Sequence, residues 1–250
     1  MSEFYDRLAP FYHLIYPDWE ASVARQAEQL AAVIRGRWGG ARTVLDVSCG
    51  IGTQAIGLAA AGFAVTGSDL SARGVERARR EAAARGLDIP FSVCDMRAAS
   101  RHHRGPFDVV LSCDNSVPHL LTDADILAAL REMFACARPG GGCLLSVRDY
   151  DREPRGAGIV RPYGVREEAG KRYLVFQVWD FDGACYDLAM YFVEDDRAGG
   201  TARTHVMRSR YYAIGTGRLL ELMREAGFAD VERLDGVFYQ PVLVGTRKEG

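Results

Sequence analysis

The segment VLDVSCGIGT, residues 44–53, constrains the fold more than any other part of the chain. Its apolar beginning predicts a buried strand. Gly50 and Gly52 then permit a sharp turn in which the backbone can come close to a ligand. A helix is expected directly afterwards, with Thr53 as its cap and free N–H groups at its beginning. This order of elements predicts the start of a βαβ unit that binds a nucleotide.

Two carboxylates narrow the choice of nucleotide. Asp69 ends the next apolar run, at an offset that suits the two hydroxyls of a ribose. Asp46 precedes the glycine turn, where its charge would repel a pyrophosphate but could bind a cationic aminoacyl group. A dinucleotide remains an alternative, because Ala55 is tolerated at the third position of the G-x-G-x-x-G fingerprint. The pattern Asp-x-x-x-Gly-x-Gly followed by this second acid resembles class I S-adenosylmethionine-dependent methyltransferases.

Composition excludes several other classes of protein. The 250 residues carry a net charge of −2 with a pI of about 6.2, which does not indicate nucleic-acid binding. No apolar run approaches the ~20 residues that a membrane helix needs. The six cysteines form no Cys-x-x-Cys pair, so they indicate buried thiols and predict neither a disulfide framework nor a metal site. We therefore expect a cytoplasmic protein without nucleic-acid or membrane partners; a homo-oligomer is compatible with the sequence.

The order of strands and helices predicts an α/β fold. Two N-terminal helices precede an alternation of strand and helix that begins at Thr43 and is typical of a parallel, doubly wound sheet. The pattern changes to alternating β stretches at 172–180, 186–194 and 204–211. The fifth strand is expected at 143–147 and the last two at 228–234 and 237–246. We predict a helical cap at 1–40, a Rossmann-like seven-stranded methyltransferase domain at 41–149 and 212–250, and an inserted antiparallel β lid at 150–211, after strand five.

The expected tips of strands four and five carry more specific motifs. They read NSVPHL at 115–120 and RDYD at 148–151. Adenine N6 and cytosine N4 methyltransferases carry an Asn/Asp/Ser-Pro-Pro-Tyr/Phe tetrapeptide at the tip of strand four, and this chain has none there. The Pro-Cys nucleophile of cytosine C5 enzymes is also absent, so the motifs argue against a DNA base as the substrate. Together with RPGG at 138–141 and the first loop, these tips resemble glycine N-methyltransferases over most of the chain from Tyr16 onward.

The resemblance implies a set of substrate residues. Arg148 matches the arginine that holds the amino-acid carboxylate, and its planar fork suits that group. A surface arginine paired with Asp149 or Asp151 is the alternative interpretation. Asn115 matches an asparagine that orients the substrate, and His119 matches a histidine near the site, where a general base and a structural histidine are both open. The family's pocket tyrosines fall at Tyr163, Tyr191 and Tyr211. Our expected catalytic residues are Asn115, Tyr211 and His119.

The resemblance also implies the cofactor, S-adenosylmethionine, which leaves as S-adenosylhomocysteine. Tyr16, Trp19 and Arg25 are assigned to it mainly by position, as residues that could close over it. Met96 replaces the family's tryptophan after strand three, where an acid and an apolar side chain suit an adenine. The full set of expected cofactor residues is Tyr16, Trp19, Arg25, Asp46, Ser48, Gly50, Gly52, Asp69, Leu70, Asp95, Met96 and Cys113.

Three functional hypotheses follow from the sequence. The first is a small-molecule N-methyltransferase acting on the amine of glycine, sarcosine or a related amino acid. The second is a natural-product methyltransferase whose acceptor is an amino sugar, a larger amino acid or a phenol. The third is a protein that binds or senses the cofactor without transferring the methyl group.

Overall fold

The N-terminal region folds as helices that lead into the first strand. The computed structural model describes residues 2–249, so Met1 and Gly250, the outermost residues of the predicted cap and main domain, lie outside the described residues. Helix α1 spans Ser2–Leu8, a 3-10 turn spans Tyr12–Ile15, and α2 spans Trp19–Arg37. The side chain of Asp18 accepts the Ala21 N–H at 3.0 Å and so caps α2.

Strands and helices then alternate as the sequence predicts. The elements are β1 Thr43–Asp46, α3 Thr53–Ala60, β2 Ala64–Asp69, α4 Ala72–Ala84, β3 Phe91–Val93, α5 Ala99–His102, β4 Phe107–Ser112, α6 Asp123–Cys136 and β5 Ala137–Ser146. Strand β5 begins six residues before the predicted Cys143, because the Pro-Gly-Gly segment is hydrogen-bonded as irregular strand beside β4. Gly52, with φ +95°, caps α3 in place of Thr53, whose hydroxyl instead accepts the Trp19 indole N–H at 2.9 Å.

The inserted sheet follows β5 and has four antiparallel strands. They are β6 Ile159–Glu168, β7 Lys171–Asp182, β8 Cys185–Asp196 and β9 Thr201–Tyr212, hydrogen-bonded in that order. The alternation of apolar residues predicted β7 to β9 but not β6. That edge strand contains Pro162 and a bulge at Gly164, both typical of sheet edges, and its alternation is correspondingly weak.

The chain ends with α7 Thr216–Glu225, β10 Ala229–Leu234 and β11 Val242–Thr246. The main sheet has the order β10-β11-β5-β4-β1-β2-β3, with β11 antiparallel to both of its neighbours. This arrangement confirms the predicted seven-stranded, Rossmann-like fold with its insertion. The strand order reverses at β1, and the crevice outside the carboxyl ends of the strands there is where such sheets bind ligands.

Three apolar clusters hold these layers together. One packs α2, α3 and α4 on one face of the main sheet, and a second packs α6 and α7 on the other. The third joins α1 to the inner face of the inserted sheet, where Trp179 and Phe192 are fully buried. Helix α1 and the 3-10 turn thus pack against the inserted sheet, whereas α2 packs on the main sheet. Within residues 2–249, helices of the length and hydrophobicity needed to span a bilayer are absent.

Candidate active site

The glycine turn after β1 is fixed to the end of β2. Gly50 and Gly52 have φ values of +53° and +95°, which favour glycine. The Gly50 N–H donates to Asp69 Oδ2 at 2.8 Å, and the Ser71 N–H donates to Oδ1 of the same carboxylate at 2.8 Å. Asp69 therefore stands beside the turn, held by two backbone donors. Burial raises the pKa of its carboxyl.

Asp46 lies under this turn and is only 1% exposed. Its Oδ1 accepts the Ser48 N–H at 3.1 Å, whereas its buried Oδ2 has no hydrogen-bond partner within the described chain. Burial raises the pKa of the carboxyl to about 7, and the nearby charge of Asp69 adds to the effect. A buried carboxylate oxygen without a partner is costly, and a cationic ligand group would satisfy it.

A cavity opens beside Asp69; Asp46 is buried next to Ser48, one of the lining residues, and does not itself line the cavity. Six of the expected cofactor residues line it: Ser48, Gly50, Asp69, Leu70, Asp95 and Met96. Leu70 remains 37% exposed although it is a large apolar side chain. The bond from Arg97 lowers the pKa of Asp95 and keeps it ionised. The cavity thus combines acids with apolar walls, which fits the ribose, adenine and cationic aminoacyl groups of S-adenosylmethionine.

The other expected cofactor residues lie around this cavity without lining it. Gly52 shapes the turn, and Cys113 is buried just after β4. Tyr16 donates to an Asp114 carboxylate oxygen at 2.9 Å. Trp19 packs under Arg77, whose guanidinium carbon is 5.7 Å from the ring centroid, and is otherwise buried. Arg25 lies on the exposed face of α2, where its guanidinium contacts Ser22 at 3.4 Å. The structure therefore brings neither Trp19 nor Arg25 to the cavity wall.

A second cavity lies under the inserted sheet. It is lined by Asn115, Arg148, Tyr163 and Tyr211 from the sequence-based set, and also by Asp114, Gln177, Tyr186 and several apolar side chains. Tyr5 and Tyr12 line both cavities. The two spaces are therefore neighbours separated by tyrosines of the N-terminal region, which the motif analysis did not assign to the site.

Arg148 reaches the second cavity from the end of β5. Its guanidinium carbon lies 4.7 Å from the centroid of the Trp179 ring, and Nη1 is 3.7 Å from a Glu153 oxygen. Its Nε is buried and has no hydrogen-bond partner within residues 2–249. The neighbouring Asp149 is instead bound by Arg233 at 2.7 Å. Arg148 is consequently a half-buried cation with an unsatisfied donor beside a cavity, and it does not form the surface pair considered as the alternative.

Asn115 ties the ends of β4 and β5 together. Its Oδ1 accepts the Arg148 N–H at 3.0 Å, and its amide donates to the Tyr150 hydroxyl at 2.7 Å. The residue has φ +64° and is 5% exposed. Asparagine adopts this left-handed backbone more readily than most residues. Its side chain therefore fixes the position of Arg148 and lines the cavity at the same time.

His119 is buried beside the site and is joined to it through Tyr5. The Tyr5 hydroxyl lies 2.6 Å from Nε2, and the Ser209 hydroxyl lies 3.3 Å from Nδ1. Burial lowers the pKa of His119 to about 3, so its imidazole is neutral near pH 7. His119 borders the first cavity but not the second, so its contact with a ligand in the second cavity would run through the Tyr5 hydroxyl.

The tyrosines of the inserted sheet divide between its two faces. Tyr211 lines the cavity and stacks on Tyr186 with ring centroids 5.2 Å apart. Tyr191 lies on the opposite face of β8, where its ring stacks on Phe176 at 4.7 Å. Because side chains alternate along a strand, Tyr186 points inward with Leu188, and Tyr191 cannot. Tyr186 therefore replaces Tyr191 in the candidate site.

The fold and the acid-lined crevice are those expected of a class I S-adenosylmethionine-dependent methyltransferase. Residues 44–141 match the family model described as a methyltransferase domain, and the chain carries such a domain. It is 35% identical over 144 residues to a glycine/sarcosine N-methyltransferase of Parasynechococcus marenigrum (strain WH8102), covering 58% of this chain and 50% of that protein. The chain spans about half the length of the curated relatives it matches.

Solved structures match over almost the whole chain. DesVI from Streptomyces venezuelae has a TM-score of 0.82 at 23% sequence identity, covering 95% of this chain and 97% of DesVI. The sugar N-methyltransferase KedS8 from Streptoalloteichus sp ATCC 53650 has a TM-score of 0.80 at 23% identity, covering 95% of this chain and 93% of KedS8. At this identity the likeness concerns the fold, and it includes the N-terminal helices and the inserted sheet.

Proposed function

We propose that this chain is an S-adenosylmethionine-dependent N-methyltransferase whose acceptor is glycine, sarcosine or a related amino acid. The single observation that carries the choice of acceptor is Arg148, a half-buried guanidinium with an unsatisfied Nε beside a cavity that adjoins the cofactor cavity. A carboxylate would satisfy that donor through a charge-assisted hydrogen bond. The similarity to curated glycine/sarcosine N-methyltransferases supports the same assignment.

The cofactor would occupy the cavity beside the glycine turn. Asp69 is placed to accept the ribose hydroxyls, Asp46 to accept a cationic amino group, and Leu70 and Met96 to pack against the adenine. S-adenosylmethionine supplies an electrophilic methyl group on a sulfonium. The protein's own contribution is to hold the acceptor nitrogen in line with that group, which can account for much of the acceleration of a two-substrate reaction.

The acceptor would enter under the inserted sheet. Arg148 binds its carboxylate, and Asn115 keeps Arg148 in place through the backbone. The hydroxyl oxygens of Tyr211 and Tyr5 are 3.5 Å apart, and Tyr5 lines both cavities, so both oxygens would lie near the boundary between them. These oxygens can accept N–H hydrogen bonds and orient the amine after it has lost a proton.

The test is release of S-adenosylhomocysteine from purified protein with a panel of acceptors: glycine, sarcosine, dimethylglycine, other amino acids and an amino sugar. Arg148→Leu should raise KM for the carboxylate acceptor by roughly 30- to 150-fold, the equivalent of about 2–3 kcal/mol for a lost charge-assisted bond. The matched control is Arg152→Leu, because the Arg152 side chain is 84% exposed and lies outside both cavities. Equal kinetics for the two variants would refute the role of Arg148.

A second candidate is N-methylation of a larger amine such as an amino sugar. The acceptor cavity is lined by several tyrosines and by Gln177, whose side chains carry groups that can form hydrogen bonds with the hydroxyls of a sugar. The shared fold of KedS8, a sugar N-methyltransferase, supports this alternative. Turnover of the amino sugar alone, with no effect of Arg148→Leu, would favour it. Tight cofactor binding without turnover of any acceptor would instead indicate a cofactor-binding protein.

A further inference from the structure

The acceptor cavity contains a second charged side chain, that of Asp114, which lies just after the end of β4. It lines the cavity together with Arg148, and its carboxylate has the opposite charge. Its φ is +57°, followed by +64° at Asn115, so two successive residues adopt the left-handed conformation. Such backbone is uncommon outside glycine and is often found at functional sites. The Asp114 N–H donates to the Ser146 hydroxyl at 2.8 Å, which helps to hold this conformation.

Three tyrosine hydroxyls donate to the Asp114 carboxylate. Tyr12 and Tyr16 contact Oδ2 at 3.3 and 2.9 Å, and Tyr239 contacts Oδ1 at 2.6 Å. An ionised carboxylate offers about four acceptor positions, so these donors leave roughly one position open. Because these hydroxyls are neutral, the negative charge has no direct counter-ion among residues 2–249.

Arg148 does not neutralise this charge through direct contact. Among residues 2–249, the ion pair of Arg148 within 4.0 Å is formed with Glu153 and not with Asp114. The cavity therefore has an anionic side at Asp114 and a cationic side at Arg148. Tyr12, which binds Asp114, also lines the cofactor cavity, so the anionic side lies towards the cofactor.

We propose that Asp114 binds the amine of the acceptor while Arg148 binds its carboxylate. This inference rests on the proposed function and specifies its substrate class, zwitterionic amino acids. A ligand with both charges complements both sides of the cavity, and binding at two points fixes its orientation. The amine at Asp114 would then face the cofactor cavity. An acceptor that lacks either the amine or the carboxylate would lose one of the two contacts.

The test uses two ligands of nearly equal shape, sarcosine and methoxyacetate, in which an ether oxygen replaces the N–H group. Their affinities for the protein saturated with S-adenosylhomocysteine are measured by isothermal titration calorimetry. The wild-type protein should bind sarcosine at least tenfold more tightly than methoxyacetate. Asp114→Asn should weaken sarcosine at least tenfold and leave methoxyacetate within about twofold, whereas Arg148→Leu should weaken both ligands.

Several results would overturn the inference. Equal affinity of the wild-type protein for the two ligands would do so even if Asp114→Asn failed to fold. A variant that retains S-adenosylhomocysteine affinity and loses sarcosine and methoxyacetate equally would show that Asp114 only supports the cavity. If the wild-type protein turns over sarcosine and Asp114→Asn binds it normally, Asp114 is rejected and the proposed function stands. If the wild-type protein neither binds nor methylates any amino acid, both proposals fail.

Discussion

The raised pKa of the buried Asp46 carboxyl leads to a prediction about folding stability that is independent of any acceptor. Its pKa is about 7 in the folded protein because of burial, against an ordinary value of 3.8. A difference of that size corresponds to about 4 kcal/mol. Between the two values the folded protein holds a proton that the unfolded chain has lost. Folding stability therefore falls as pH rises through this window, and the loss is complete above about pH 7.

Asp46→Asn removes the charge and keeps the Oδ1 acceptor for the Ser48 N–H. The variant's free energy of unfolding relative to wild type should therefore increase by about 2 kcal/mol between about pH 5.5 and about pH 8.5, the part of the effect that develops in that range. Other titrating groups cancel in the comparison because both proteins share them.

Urea denaturation of both ligand-free proteins at both pH values measures this quantity. A constant difference between the proteins would refute the assignment of Asp46 as a buried, unpaired charge. In a separate binding measurement without urea, S-adenosylmethionine should bind Asp46→Asn at least tenfold more weakly than wild type, because the cationic amino group of the cofactor loses a partner.

The remaining predictions concern packing and the buried histidine. Gly57→Ala should destabilise the protein by about 1–3 kcal/mol in thermal melts, since a Cβ there would lie 2.8 Å from the Val23 carbonyl oxygen. The control is Gly217→Ala, which has open space around it and should be neutral or stabilising. His119 should show no titration above about pH 4 in imidazole NMR spectra, and a midpoint near 6.5 would contradict its burial. Tyr5→Phe should lower kcat more than it raises KM for the cofactor; unchanged kcat would remove Tyr5 from the site.

Local sequence patterns were sufficient for much of the fold and for one side of the site. The glycine turn could be predicted because left-handed backbone favours glycine. The acid at the end of β2 could be predicted because it follows that turn at the offset typical of a nucleotide-binding βαβ unit. Helix caps were less predictable: Thr53 was expected to cap α3 but Gly52 holds that position, and Asp18 caps α2 without having been predicted. The cofactor cavity nevertheless contains six of the residues expected for it.

The register of the inserted sheet was harder to predict from the sequence. Tyr186 and Tyr191 are separated by an odd number of positions on one strand, so only one of them can face the cavity. The alternation of Tyr186 with the apolar Leu188 and Met190 was the available signal. Assignment by resemblance overlooked it, since a one-residue error in an alignment exchanges the two faces of a strand.

Contacts between distant segments could not be read from local patterns at all. The Tyr5 hydroxyl meets His119 across 114 positions of sequence, and Tyr239 meets Asp114 across 125. Such pairs depend on how α1, the strand tips and the loop before β11 come together. Asp114 directly precedes the motif NSVPHL, whose asparagine and histidine were predicted as site residues, but nothing local distinguished Asp114 from a solvated turn residue.

The sequence by itself determined the class of fold and predicted six of the residues that line the first cavity, because strand periodicity, glycine turns and nearby acids act over a few residues. Only the tertiary structure brought together the residues of the proposed acceptor site. Packing of α1 and the 3-10 turn against the inserted sheet placed Tyr5 and Tyr12 between two cavities, and the ends of β4 and β5 brought Asp114 and Arg148 to one of them. Side chains on separate elements acquire a joint chemistry only when the hydrophobic core fixes those elements against one another.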